Sequence, residues 1–201
     1  MGRLRLLVSV RDRGEALEAL MGGADILDVK NPSEGALGAN FPWIIREVRE
    51  LAPPRIEVSA TLGDLPNIPG TASLAALGAA SSGADYVKVG LYGSMGEGEA
   101  VRLMRNVSKA VKDYNGGCKV IAAGYGDYKV TGSLNPALLP RVAASSDSDG
   151  ILIDVWEKGG YNLFHYMGDE VLSRIVDEAH SQGLIVALAG ALRKENIPRI
   201  H

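Results

Sequence analysis

Short apolar runs recur seven times along this 201-residue chain, and nearly all are followed by a stretch of helical periodicity. No other feature constrains the fold as much. Consecutive strands that pair in parallel need a crossover long enough to hold a helix. The apolar runs are 4–10, 24–30, 55–61, 86–93, 118–126, 150–156 and 184–190. The helical segments between them are 13–23, 41–52, 73–83, 97–114, 135–146 and 169–183, and KENIPRI begins one more. Gly22 and Gly23 suit a helix end, and Pro42 suits a first helical turn. The tetrads GGAD and SGAD, both at helix-to-strand junctions, read as one recurring unit. Seven such units favour an α/β fold of the TIM (β/α)8 type, with parallel strands, over a doubly wound open sheet. The count is one strand short of eight. The expectation is therefore a single TIM-barrel domain over 1–201 from which the closing strand and helix are missing.

Three of the apolar runs end in charge. ILDVK carries Asp28 and Lys30, YVKVG carries Lys88, and ILIDVWEK carries Asp154 and Lys158. Side chains two apart on a strand share a face, so Asp28 and Lys30 point the same way. Even-numbered strands feed the same interior layers of a barrel, and active sites lie at the carboxyl ends of its strands. These groups can therefore converge near the barrel mouth. Taken singly, a strand-end Asp or Lys is ordinarily solvated or paired. Amines and carboxylates arriving from three separate strand ends favour a functional site over a structural ion network.

Crowded ammonium groups depress one another's pKa, and burial adds to the effect. A neutral lysine attacks a carbonyl to give a Schiff base, and a neighbouring carboxylate can shuttle the protons. Spare lysines can hold an anionic substrate group such as phosphate. A second anion site is expected at Gly190, Ala191 and Leu192, whose N–H groups follow the seventh strand where barrels often bind phosphate. The loops 31–42 and 59–71 are long for βα connections, which suggests lids or subunit contacts, and Asn31 and Asp64 could point into the site. Together with the FPW segment at 41–43 they suggest a homo-oligomer.

The remaining chemistry is sparse. Three histidines and one cysteine, Cys118, show no metal-ligand spacing, so neither a metal nor a cofactor is expected. GYGDY at 124–128 lacks the order of a dinucleotide-binding loop. A net charge of −3 offers no footprint for nucleic acid or a membrane surface. The lone cysteine and the absence of a visible leader or spanning segment point to the cytoplasm.

Beyond these readings, DVKNPSEGALGANFPWIIR, VSATLGDLPNIPGTASLAALGAASSGADYVKVGLYG, AAGYGDY and ALAGALRKENIPRI resemble the (5-formylfuran-3-yl)methyl phosphate synthases. These are also called 4-(hydroxymethyl)-2-furancarboxaldehyde-phosphate synthases, enzymes of methanofuran biosynthesis. The resemblance extends over essentially the whole chain. It implies a TIM barrel similar to Schiff-base aldolases, which condenses two molecules of glyceraldehyde 3-phosphate into a phosphorylated furan aldehyde with loss of phosphate and water. It implies Lys30 as the Schiff-base lysine, Lys88 and Lys158 as further active-site lysines, and Asp154 as the acid/base aspartate. It also implies a further strand and helix after RKENIPRI, ending in a phosphate-binding region. On the residues alone, two other functions remain: another Schiff-base aldolase or a triose- or sugar-phosphate isomerase, and a non-catalytic barrel that binds a phosphorylated ligand.

Overall fold

The computed structural model describes residues 3–94, 96–157 and 159–200. All seven expected strands form: β1 (Leu7–Val10), β2 (Ile26–Val29), β3 (Glu57–Thr61), β4 (Tyr86–Gly90), β5 (Lys119–Tyr125), β6 (Gly150–Asp154) and β7 (Ile185–Leu188). They pair in chain order and entirely in parallel, so the sheet is a curled half-barrel of TIM type. Among the described residues, β1 and β7 are its two edges.

The helices are α1 (Arg13–Met21), α2 (Pro42–Leu51), α3 (Pro69–Ser81), α4 (Glu97–Tyr114), α5 (Tyr128–Thr131), α6 (Leu139–Ser145), α7 (Leu163–Tyr166), α8 (Asp169–Ser181) and α9 (Ile197–Ile200). The Asp12 carboxylate caps α1 by accepting the Glu15 N–H at 3.0 Å. Helix α4 buries Ala100, Leu103, Met104, Val107 and Val111, spaced three and four apart along one face. Its neighbour α3 buries only alanines (Ala72, Ala76, Ala79 and Ala80), which lets the two helix backbones come close. None of the helices, among the described residues, is long and apolar enough to cross a membrane.

The period-two alternation of the strands divides the apolar side chains into two bodies. Leu27, Val29, Val58, Ala60, Val87, Val89, Val120, Ile151 and Ile153 face outward and pack under the helices. Inside the curl, Leu37, Tyr86, Ile121, Ala123, Tyr125 and Leu152 form a smaller cluster. The strand register carries a polar row across this inner face: Ser9, Asp28, Ser59, Tyr86 and Lys119 are level on β1 to β5. Further along the strands, Thr61 is level with Lys88, and Tyr125 with Asp154.

The amino-terminal end of the interior is closed by a polar cluster. Tyr86 Oη donates to Glu57, 3.1 Å from both carboxylate oxygens, and accepts from Lys119 Nζ at 3.1 Å. Arg5 forms an ion pair with Glu57. Burial alone would raise the Glu57 pKa, but the hydrogen bonds from Arg5 and Tyr86 and the charges of Arg5 and Lys119 outweigh it, leaving Glu57 below its ordinary value of 4.5. A carboxylate with a depressed folded-state pKa stabilises the fold fully above its unfolded-state value. That stabilisation is lost as pH falls through the folded-state value. Acidification below about pH 4.5 should therefore weaken the wild type more than Glu57→Gln, measured as the urea midpoint against pH.

Candidate active site

Lys88 and Asp28 meet inside the curl. Lys88 Nζ lies 2.6 Å from Asp28 Oδ2, with side-chain exposures of 6% and 1%. The pair spans from β4 to β2 across β3, a contact that only a concave sheet allows. Ser9 donates a second hydrogen bond to the same oxygen at 3.2 Å. Asp28 Oδ1 and the neighbouring Ser59 Oγ are buried without a hydrogen-bond partner among the described residues.

Lys30 follows the last residue of β2 and is half-buried. Its Nζ donates to the Ala36 carbonyl at 3.3 Å. With Pro32, Gly35, Ala36 and Trp156 it lines a cavity of about 450 Å3 at the carboxyl ends of the strands. Trp156 comes from the loop after β6, so the cavity reaches from the β2 side of the mouth to the β6 side. Asp154, the last residue of β6, is buried, and its Oδ1 accepts the Val155 N–H at 2.7 Å. Lys158 lies outside the described residues.

After β7, Gly190 and Ala191 both have positive φ, +101° and +50°. For Ala191 this left-handed conformation costs about 1–2 kcal/mol, the kind of local strain that concentrates at functional sites. Hydrogen bonds among the described residues leave the N–H groups of Gly190, Ala191 and Leu192 unused. They are three successive donors along the chain.

Other parts of the site are not evident from the sequence. Asp127, in the discounted GYGDY stretch, is buried and accepts the N–H groups of Trp156 and Glu157, each at 3.0 Å. It thereby fixes the backbone leading out of Asp154. Tyr92, Tyr125 and Trp156 form an aromatic wall: Tyr92 and Trp156 stack with centroids 4.2 Å apart, and Tyr125 meets Trp156 edge-on at 5.5 Å. Spacing within the sequence could not have signalled either, because both depend on neighbouring strand ends lying side by side. Burial, followed by the charges of Asp85 and Asp149, pushes the Cys118 thiol up to about 12, so this cysteine is no nucleophile. Among the described residues, no group of three or more His, Cys, Asp or Glu side chains could hold a metal ion.

A buried ion pair that loses one partner strands the other charge. Lys88→Met should cost about 3–5 kcal/mol of folding stability, whereas the double variant Asp28→Asn/Lys88→Met should lose much less. Urea denaturation of the four proteins in the cycle measures both.

The 4-HFC-P synthase family profile matches residues 6–201. The chain is 54% identical to the (5-formylfuran-3-yl)methyl phosphate synthase of Methanocaldococcus jannaschii, over 96% of this chain and 82% of that protein. It is 53% identical to the Methanopyrus kandleri protein of the same name, over 98% and 83%. In fold it is similar to the tetrameric deoxyribose phosphate aldolase of Aeropyrum pernix, with a TM-score of 0.65 at 17% identity, over 98% of this chain and 80% of that one.

Proposed function

The chain is an enzyme of the 4-HFC-P synthase family, and from that premise we propose that it condenses two molecules of glyceraldehyde 3-phosphate in methanofuran biosynthesis. A Schiff base on Lys30 carries the reaction. The product is the phosphorylated furan aldehyde. Atom balance requires that one phosphate and two waters leave for each pair of trioses.

One observation carries the assignment of Lys30: its amine lines the open cavity while Lys88 is held in a buried ion pair. A nucleophile has to reach a carbonyl carbon, and Lys30 is the better exposed of the two. Its uncharged nitrogen adds to the carbonyl, and water is expelled to give the protonated imine. Asp154, at the β6 end beside Trp156, takes the carbon-bound proton that converts the imine to an enamine. The enamine carbon forms the new carbon–carbon bond with the carbonyl of the second triose phosphate. Elimination of phosphate, ring closure and dehydration then give the aromatic furan.

Charge arranges the other groups. Lys88 keeps a positive charge in the interior, oriented by Asp28, and attracts the phosphorylated substrate. Lys158 serves the same end from the loop after β6. The successive N–H groups of Gly190, Ala191 and Leu192 receive a phosphate, supported by their position after the last strand and their unused donors. The enzyme works as a homo-oligomer through the exposed, stacked Phe41–Trp43 pair at the start of α2.

Borohydride added with glyceraldehyde 3-phosphate should leave a reduced adduct on Lys30, located by peptide mass spectrometry, and inorganic phosphate should appear during turnover. Lys30→Ala should lower kcat by roughly 1000-fold or more without unfolding the protein. Turnover with no adduct on Lys30 sinks the imine role, and carbon–carbon bond formation without phosphate release points to a simple aldolase. Light scattering should give a mass above that of one 21.2 kDa chain, and a Trp43→Glu variant should shift it downward. A monomeric wild type refutes the oligomer.

A further inference from the structure

One peptide group in the loop between β2 and α2 is held on both edges. The Ala36 carbonyl accepts from Lys30 Nζ at 3.3 Å. The N–H of the same peptide, belonging to Leu37, donates to Asp64 Oδ2 at 3.1 Å. Asp64 lies in the next loop, between β3 and α3. A carboxylate from one βα loop thus grips the peptide that holds the amine of its neighbour.

The fold also clears a slot for this carboxylate. A Cβ on Gly90, two residues past Lys88 on β4, would lie 2.1 Å from Asp64 Oδ1 and 2.8 Å from the Tyr125 hydroxyl. A Cβ on Gly35 would come within 3.1 Å of Asp64 Oδ2. Any side chain at Gly90 would displace Asp64, so the close approach requires glycine there.

We propose that Asp64 is a positioning residue for Lys30, acting through the Ala36–Leu37 peptide. The proposal rests on the reading of Lys30 as the imine-forming lysine. A peptide whose N–H is bound to a carboxylate presents a more polarised carbonyl, and hydrogen bonds in such a chain strengthen one another. The carbonyl is also fixed in place, so it sets where the Lys30 nitrogen waits. Once that nitrogen has become a protonated imine, its remaining N–H can donate to the same carbonyl. Asp64 neither touches the substrate nor exchanges a proton in this role.

Asp64→Leu keeps the branched outline of the side chain, with bulkier ends and no acceptor, and Asp64→Asn keeps an oxygen for the Leu37 N–H without the charge. In single-turnover borohydride trapping, Asp64→Leu should form the Lys30 adduct roughly 10- to 100-fold more slowly than the wild type, the scale of a misplaced reacting group. Its KM should stay within about threefold, with the assay run well below its melting temperature so that only folded protein is compared. Amide exchange at Leu37 should accelerate in Asp64→Leu. Asp64→Asn should restore slow Leu37 exchange and most of the trapping rate, a rescue that loss of general packing would not produce. Trapping at the wild-type rate in Asp64→Leu overturns the role of Asp64 alone, as does unchanged Leu37 exchange. No adduct in the wild type overturns the Lys30 imine itself, and the positioning role with it.

Discussion

The ion pair between Lys88 and Asp28 is the interaction on which the rest of the interior depends. Each charge would be costly alone in so dry a place, and each is tolerable because the other is 2.6 Å away. Reaching from β4 to β2, the pair stands where hydrocarbon would otherwise fill the curl. The inner face consequently becomes a polar column in three storeys. Arg5, Glu57, Tyr86 and Lys119 close the amino-terminal end, the buried pair occupies the middle, and Lys30 and Asp154 stand at the carboxyl ends of their strands.

Such an interior is affordable because cohesion comes mainly from elsewhere. The outward-facing side chains of the strands are almost all Val, Leu, Ile and Ala, and the helices cover them. This shell supplies the apolar burial that drives folding. The inner face is thereby released from packing duty and can hold charges, unpaired hydroxyls and an open cavity. Function and stability occupy opposite sides of the same strands, alternating residue by residue.

That alternation explains how much was legible in the sequence. A charged side chain inside an apolar run is conspicuous, so Asp28, Lys30, Lys88 and Asp154 could be picked out, and the strand periodicity predicted that they face inward. Helix α4 was readable end to end, because its apolar stripe runs without a break from Ala100 to Val111. The start of α3 was not. Pro69 and Gly70 read as loop, yet the helix begins at Pro69, where a proline's missing N–H costs nothing. The four-residue helices α5 and α7 are too short to show any period. The partner of Lys88 was also hidden, since it depends on how strongly the sheet curls and no local pattern encodes that. Asp127 escaped for a related reason: its partners are backbone N–H groups 29 and 30 residues away.

Asp127 and Asp64 expose a shared solution to a problem that every barrel site meets. Lys30 and Asp154 stand where strands give way to loops, and loop backbones have N–H groups with no strand or helix to pair with. In both loops a carboxylate from the neighbouring βα segment takes up those donors. Asp64 holds the Leu37 N–H beside Lys30, and Asp127 holds the two N–H groups that follow the Asp154–Val155 turn. An acidic side chain suits this task because it accepts at two oxygens and binds N–H more strongly than a neutral group does. Both loops are thus braced by an adjacent one around the curl, the loop after β2 by the loop after β3 and the loop after β6 by the loop after β5.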